Sequence, residues 1–458
     1  MNEPNPSKRS RLPNSLWLLP GLGLKRWLLL LGVGALITGM GFVYAILVLH
    51  RAQWLPTTVY NLVTLQFVPV FWRIVLPFLI GGGIILLAVF MMGRRLVAPF
   101  RDADAGLAET LYDYSRQGRG PAIVAIGGGT GMPALLRGLK AYTRNITAIV
   151  TVADDGGSSG RLRRELGLLP PGDFRNNIAA LARDEALMTQ VLQYRFGSSV
   201  VVADETGEGG NGRSDHQDQT LQGQTLQGHA FGNLLLAALT GITGSFDEAL
   251  LASERVLAMR GQVLPATLAQ VSLAADIEID GVITRIIGES AIPQAAGKIK
   301  QVYLEPAQVS AYPPALKAIF QADLIVMGPG SLYTSILPNL LVPDLAEALK
   351  HARAPKIYLC NLAIQPGETD NYTVADHVDA LLQHISTPFL DAVLANNNLS
   401  VSPETGGGQT IYVEPVAPKK VKMVAADLVD ESRPWRHDSA KLARAVMSLL
   451  PKNGLRHT

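Results

Sequence analysis

The chain has 458 residues, 40 Lys and Arg against 38 Asp and Glu, a formal net charge of +2 and a single cysteine, Cys360. The length allows two or more domains with a sizeable core. The near-neutral charge without a dense basic patch removes any global electrostatic case for nucleic acid, and one cysteine excludes an internal disulfide and a cysteine-based metal cluster.

Mean hydropathy is positive, and the cause is local. Residues 1–26 read as a basic tail carrying Lys8, Arg9, Arg11, Lys25 and Arg26. Trp27 to Leu49 then gives 23 consecutive uncharged, mostly apolar residues, roughly 35 Å as a helix and enough to cross a bilayer. A second run, Ile74 to Met92, is just long enough to cross back, with Pro77 and Gly81 to Gly83 as tolerated weak points. Arg94, Arg95 and Arg101 follow it, whereas the loop between the runs holds only Arg51 and Arg73. Positive-inside counting therefore predicts a two-helix transmembrane hairpin over 27–92 in the cytoplasmic membrane, with the N-terminus and the C-terminal domain both in the cytoplasm.

Residues 93–120 read as a polar connector, and 121–450 as one α/β domain in which strand-like and helix-like runs alternate, the sign of a doubly wound, mainly parallel sheet. Strands are predicted at 122–126, 147–152, 323–327 and 356–360; helices at 132–142, 175–190, 232–241, 246–259 and 343–352. One segment breaks the pattern. Residues 198–227 are rich in Gly, Asp, Glu, Gln and Ser and include a QTLQG duplication beginning at Gln219. With so little apolar surface to bury, it reads as a disordered surface insertion. Residues 451–458 read as a C-terminal tail.

The polar turns carry the chemistry. The apolar run ending at Ile126 leads into Gly127-Gly128-Gly129-Thr130-Gly131, and the run ending at Val152 leads into Asp154-Asp155-Gly156-Gly157-Ser158-Ser159. Glycines after buried parallel strands let bare backbone N–H groups approach an anion, and a helix starting at Gly131 aims its positive end at the same spot. A third cluster, Asp173 to Asn177, opens an apolar helix. Asp173 suits an N-cap, while Arg175, Asn176 and Asn177 suit base, ribose or phosphate contacts. Further turns follow at Gly228-His229 and Gly232-Asn233, at Gly328 to Ser335, and at Asn361 to Thr369; a lone histidine such as His229 is as often a satisfied structural group. In an open parallel sheet such turns converge beyond the carboxyl ends of the strands. Gly129 to Ala134 also matches G-x-G-x-x-A with Asp154 about twenty residues on, as a dinucleotide fold would place it, but no hydride-transfer acid or base accompanies the fingerprint.

Taken together and in order, GGGTG, VTVADDGGSSGRLRRELGLLPPGDFRNN, GHAFGNL, ADLIVMGPGSLYTSILPNLL and QPGET resemble the YvcK or gluconeogenesis factor family, related to the 2-phospholactate transferase CofD, over roughly residues 121–450. The resemblance implies a Rossmann-like three-layer αβα fold. It also implies a UDP-sugar ligand of the UDP-N-acetylglucosamine kind and a role in carbon metabolism and cell-wall morphogenesis. Matched motif by motif, Gly128, Gly129, Thr130 and Gly131 would hold phosphate; Asp154 and Asp155 would face sugar, ribose or a metal. Asn176, Asn177 and Asn233 would read polar edges of the nucleotide, and Gly330, Ser331 and Thr334 would complete the crevice. Arg436, in an Arg-His-Asp element, would close over the ligand, with Tyr412 as a weaker candidate. Ala363 and Ile364 depart from the family's usual Met-Thr pair, which removes a hydroxyl from that loop.

Two functions fit these residues. One is a membrane-tethered regulator that binds a nucleotide sugar, partners with cell-wall synthesis proteins and is expected to be a homo-oligomer. The other is a phosphotransferase acting on a guanine nucleotide, with Mg2+ held by Asp154 and Asp155.

Overall fold

The computed structural model describes residues 24–54, 56–97, 120–197, 226–385, 389–400, 404–405, 408–409 and 411–451. The chain divides into two compact units, Met1–Arg116 and Gln117–Thr458. Of the connector expected over 93–120, residues 93–97 continue the Val70–Val97 helix and 98–119 lie outside the described residues, as does nearly all of the 198–227 insertion.

In the first unit, helices span Leu24–Arg51, Thr57–Val63 and Val70–Val97. The stretch Gly32–Arg51 is long and apolar enough to cross a membrane, and it is the one such stretch found among the described residues rather than the two expected. The second expected span, 74–92, falls within the Val70–Val97 helix, whose side chains are only partly among the described residues.

The second unit is built on a seven-stranded sheet. Its strands are β1 (Ile123–Gly127), β2 (Ile146–Val150), β3 (Gln262–Pro265), β7 (Leu324–Met327), β8 (Lys356–Leu359), β9 (Ala392–Asn396) and β12 (Lys422–Ala426), in the order β12-β9-β8-β7-β1-β2-β3 and with every pair parallel. β1, β2, β7, β8 and β9 are buried along their whole length, which is why they read as unbroken apolar runs rather than alternating ones. The order runs outward from β1 through β2 to β3 and then restarts on the other side with β7. The switch point therefore lies between β1 and β7, the Rossmann-like position at which ligands of open α/β sheets bind.

The four predicted strands are present within a residue or two. Two of the predicted helices are also present within two residues, as Phe231–Thr243 and Pro343–His351, and two end three residues earlier than expected, at Leu139 and Val256. The helix expected over 175–190 is two, Gly172–Leu181 and Glu185–Gln193, because Asp184 caps the second by accepting from the Leu187 N–H at 3.2 Å. Strands β3, β9 and β12 add to the predicted set. So does a separate antiparallel sheet of β4 (Ser272–Ile279), β5 (Val282–Ile287) and β6 (Lys298–Glu305), ordered β5-β4-β6. Between it and β12 lie the two-residue strands β10 (Glu404–Thr405) and β11 (Gly408–Gln409). Helix Met132–Leu139 starts with proline in its first turn and buries Met132, Leu135, Leu136 and Leu139, one apolar stripe at helical spacing.

Candidate functional site

The glycine turn after β1 and the Gly330–Ser331 turn after β7 meet at the switch point. Their approach is so close that a Cβ on Gly131 would lie 2.8 Å from the Pro329 carbonyl oxygen. Gly330 N–H donates to Asn361 Oδ1 at 3.2 Å, Asn361 Nδ2 donates to Gln365 Oε1 at 2.8 Å, and Gln365 Nε2 donates to Ser331 Oγ at 2.6 Å. The turns after β7 and β8 are thus locked together by side-chain amides. Thr334 Oγ1 donates to Glu368 Oε1 at 3.1 Å, and Glu368 is buried. Burial pushes the Glu368 carboxyl above its usual range.

On the β2 side, Asp154 Oδ1 accepts from its own turn at Gly156 N–H, 2.9 Å, and the carboxylate is also hydrogen-bonded to Ser159. Ser159 Oγ accepts the Gly172 N–H at 3.0 Å, joining this turn to the next helix. A buried chain of polar groups follows. His229 Nδ1 and Ser158 Oγ are 2.9 Å apart, Asn233 Nδ2 donates to Ser158 Oγ at 3.0 Å, and Arg175 Nη1 donates to Asn233 Oδ1 at 3.1 Å. Arg175 Nη2 donates to Asn176 Oδ1 at 3.0 Å. Through Ser158, residues from three separate segments, Arg175 and Asn176, His229 and Asn233, and the turn after β2, are therefore one hydrogen-bonded assembly. Asn177 is fully buried and turns inward, donating from Nδ2 to the Asp173 carbonyl at 2.8 Å.

Asp173 behaves differently from the N-cap expected of it. Pro171 holds the cap position, and the Asp173 carboxylate instead reaches across to the first glycine turn, where Oδ2 accepts the Gly129 N–H at 2.7 Å. Burial, and then the Asp154 charge, push this carboxyl up to about 6. Gly128 lies against it, since a Cβ there would be 2.5 Å from Asp173 Oδ2. One donor of the expected phosphate loop is thus already engaged by an internal carboxylate. Sequence reasoning missed this because an Asp in a first helical turn has a local explanation, and only the close approach of Gly128 supplies the other.

A second missed residue is Glu289, in the connection after β5. Burial, then the charges of Asp154, Asp173, Asp155 and Glu368, push its carboxyl up to about 8. Nothing in its sequence neighbourhood marks it, because the carboxylates that act on it come from other elements. The same connection engages Asp155, whose Oδ1 accepts the Ser290 N–H at 2.9 Å. Asp154 and Asp155, the pair expected to hold Mg2+, are thus engaged with different backbone groups. Among the described residues no three His, Cys, Asp or Glu side chains are arranged to hold a metal ion.

Thr130 is exposed at the tip of the first turn. Tyr412 pairs with Ala363 in the loop after β8, and its Oη donates to the Pro434 carbonyl at 2.9 Å, which ties down the segment bearing Arg436. Arg436 is exposed, while its neighbour His437, hydrogen-bonded with the Cys360 backbone, is pushed down to about 4 by burial. Asp438 caps the last helix, Ser439–Ser448, accepting from Lys441 N–H at 2.7 Å. Chemically, the crevice offers backbone and amide donors along the switch point, an internal guanidinium, and four carboxyls, Asp154, Asp173, Glu289 and Glu368, each pushed by burial toward its neutral form.

A family profile described as 2-phospho-L-lactate transferase CofD matches residues 123–447. The chain is 41% identical over 469 residues to a putative gluconeogenesis factor of Nostoc sp., spanning 94% of this chain and 91% of that protein. It is 43% identical over 341 residues to the gluconeogenesis factor of Bacillus subtilis, spanning 73% of this chain and 99% of that one. A crystal structure of a UPF0052-family protein from Bacillus halodurans superposes with a TM-score of 0.61 at 42% identity, covering 71% of this chain and 99% of that chain.

Proposed function

This chain belongs to the CofD-like family in its gluconeogenesis factor branch, and from that membership we propose that it is a membrane-tethered cytoplasmic protein that binds a UDP-sugar of the UDP-N-acetylglucosamine kind and regulates carbon metabolism and cell-wall morphogenesis. The observation that carries this reading is the convergence of turns after β1, β2, β7 and β8 on one switch point. A ligand with a diphosphate, a base and a sugar has enough separate polar parts to engage turns spread along such an edge. The glycine turn after β1 meets the diphosphate, the Arg175 and Asn176 side meets the nucleoside, and the turns after β7 and β8 meet the sugar. The helices Leu24–Arg51 and Val70–Val97 form the membrane anchor, with both termini on the cytoplasmic side.

Calorimetric titration of the purified 117–458 domain with UDP-N-acetylglucosamine, GDP and NAD, each with and without Mg2+, tests the ligand assignment. Tight binding of the UDP-sugar irrespective of Mg2+ is expected. A preference for GDP together with a Mg2+ requirement replaces this reading with the phosphotransferase one. Carbonate-resistant membrane association of the full chain, lost on deletion of 1–116, tests the anchor.

A further inference from the structure

The connection from Gly288 to Ala295, which leaves the three-stranded sheet after β5, is held at both ends by loops of the seven-stranded sheet. At one end the Asp155 carboxylate is seated on its backbone: Oδ1 accepts the Ser290 N–H at 2.9 Å, and Oδ2 lies 2.7 Å from where a Cβ on Gly288 would be. Gly288 has φ +115°, a conformation that L side chains rarely adopt, so two independent constraints keep that position bare beneath the carboxylate. Its N–H donates to Leu273 O at 2.8 Å, and its carbonyl accepts from Ala291 and Ile292, both at 3.2 Å, which sets the turn. At the other end the QPGET loop lies backbone to backbone on the same connection, with a Cβ on Gly367 falling 2.0 Å from the Pro293 carbonyl oxygen.

These two anchor points belong to loops after β2 and after β8. Those strands are separated in the sheet by β1 and β7, three strand spacings or roughly 14 Å. The connection therefore bridges the ends of the two strands that form the switch point. Glu289 sits in this bridge, between Gly288 under the Asp155 carboxylate and Ser290 bonded to it.

We propose that Asp155 is a positioning residue that latches the 288–295 bridge over the crevice, and that Glu289, carried by the bridge, is the carboxyl the bound nucleotide sugar meets from that side. The inference rests on the nucleotide-sugar reading for its ligand, but the latch itself does not. The Asp155 carboxylate is thus engaged with the 288–290 backbone, through the Ser290 N–H at Oδ1 and the bare Gly288 beneath Oδ2. What Asp155 contributes passes through the placement of Glu289.

The experiment compares the full-length Asp155→Ala, Asp155→Asn and Glu289→Ala variants by amide hydrogen exchange over 286–295 and by UDP-N-acetylglucosamine titration. Asn keeps a carbonyl oxygen that can accept the Ser290 N–H; Ala does not. Asp155→Ala is expected to speed exchange across the bridge at least tenfold and to weaken binding about tenfold, with Asp155→Asn restoring most of both. Glu289→Ala should weaken binding about tenfold while the bridge stays protected. The proposal is overturned if Asp155→Asn loses binding as fully as Asp155→Ala with the bridge still protected, because the charge itself would then be what the ligand feels. It is equally overturned if Asp155→Ala leaves exchange unchanged. If the unaltered chain binds no UDP-N-acetylglucosamine, the functional reading fails and takes the role of Glu289 with it, while the exchange comparison still decides the latch.

Discussion

Replacing Asp173 by Asn should make the protein more stable, and by an amount set by the charge the site confines. The carboxyl is pushed up to about 6 from an ordinary 3.8, first by burial and then by Asp154. Each pH unit of such a difference is worth about 1.4 kcal/mol, so the ionised form destabilises the fold by about 3 kcal/mol. The sign follows from the direction. Below pH 3.8 the group is protonated in folded and unfolded chains alike and contributes nothing. Between pH 3.8 and 6 the unfolded chain ionises while the folded one resists, so the penalty grows, and above pH 6 it is constant. Asn carries no charge, and its carbonyl can still accept the Gly129 N–H that Asp173 holds at 2.7 Å. For a unit of roughly 340 residues, an unfolding entropy of about 2.1 cal/mol/K per residue gives roughly 0.7 kcal/mol/K. The expected rise in Tm is then about 4 °C at pH 8. Scanning calorimetry of Asp173→Asn and the unaltered protein in EDTA at pH 4 and pH 8 measures it. A rise absent at pH 8, or equally large at pH 4, refutes the assignment of a confined charge.

Glu289, pushed up to about 8, should behave in the same sense over a wider window: the stability gained by Glu289→Gln is expected to grow from about pH 4.5 up to pH 8, read from urea midpoints across that range. Gly128→Ala puts a methyl 2.5 Å from Asp173 Oδ2 and 2.9 Å from Thr151 Cγ2; destabilisation of about 1–3 kcal/mol, seen in thermal melts, should accompany loss of UDP-sugar binding. Thr334→Val removes a side-chain donor to Oε1 of the buried Glu368 carboxyl. A cost of about 1–3 kcal/mol is expected, larger at pH 8 than at pH 5, by denaturant titration. Ile126→Ala, in the fully buried strand beside the switch point, should cost about 2–5 kcal/mol in the same assay.

Much of this protein was legible before any coordinates. Short, largely apolar runs mark parallel strands buried on both faces, because such strands need no alternation; β1, β2, β7 and β8 are all of this kind, and β1 and β7 also run straight into glycine. The turns at their ends, with Gly128, Asp154 and Ser331, were visible for a related reason: glycines and small polar residues have little business beside a core unless the backbone is approached closely. The break in the helix after Leu181 was readable in principle from Asp184, but the apolar periodicity across it was the louder signal. β3, β9 and β12 went unread because runs of four or five residues do not separate from buried helix by pattern alone.

What the tertiary structure decided is how the polar groups divide between holding the site together and meeting a ligand. Local sequence gives Asp173 an N-cap role and makes Asp154 and Asp155 a natural pair, since it ranks residues by their neighbours in the chain. In the fold, Asp173 crosses to Gly129, Asp155 turns to Ser290, and Glu289 comes within reach of the charges of Asp154, Asp173, Asp155 and Glu368. Hydrogen bonds and desolvation act over a few ångströms in space and take no account of separation along the chain. The composition of the crevice was therefore set by motifs, whereas its charge states and its internal partners could be decided only when the two sheets were brought together.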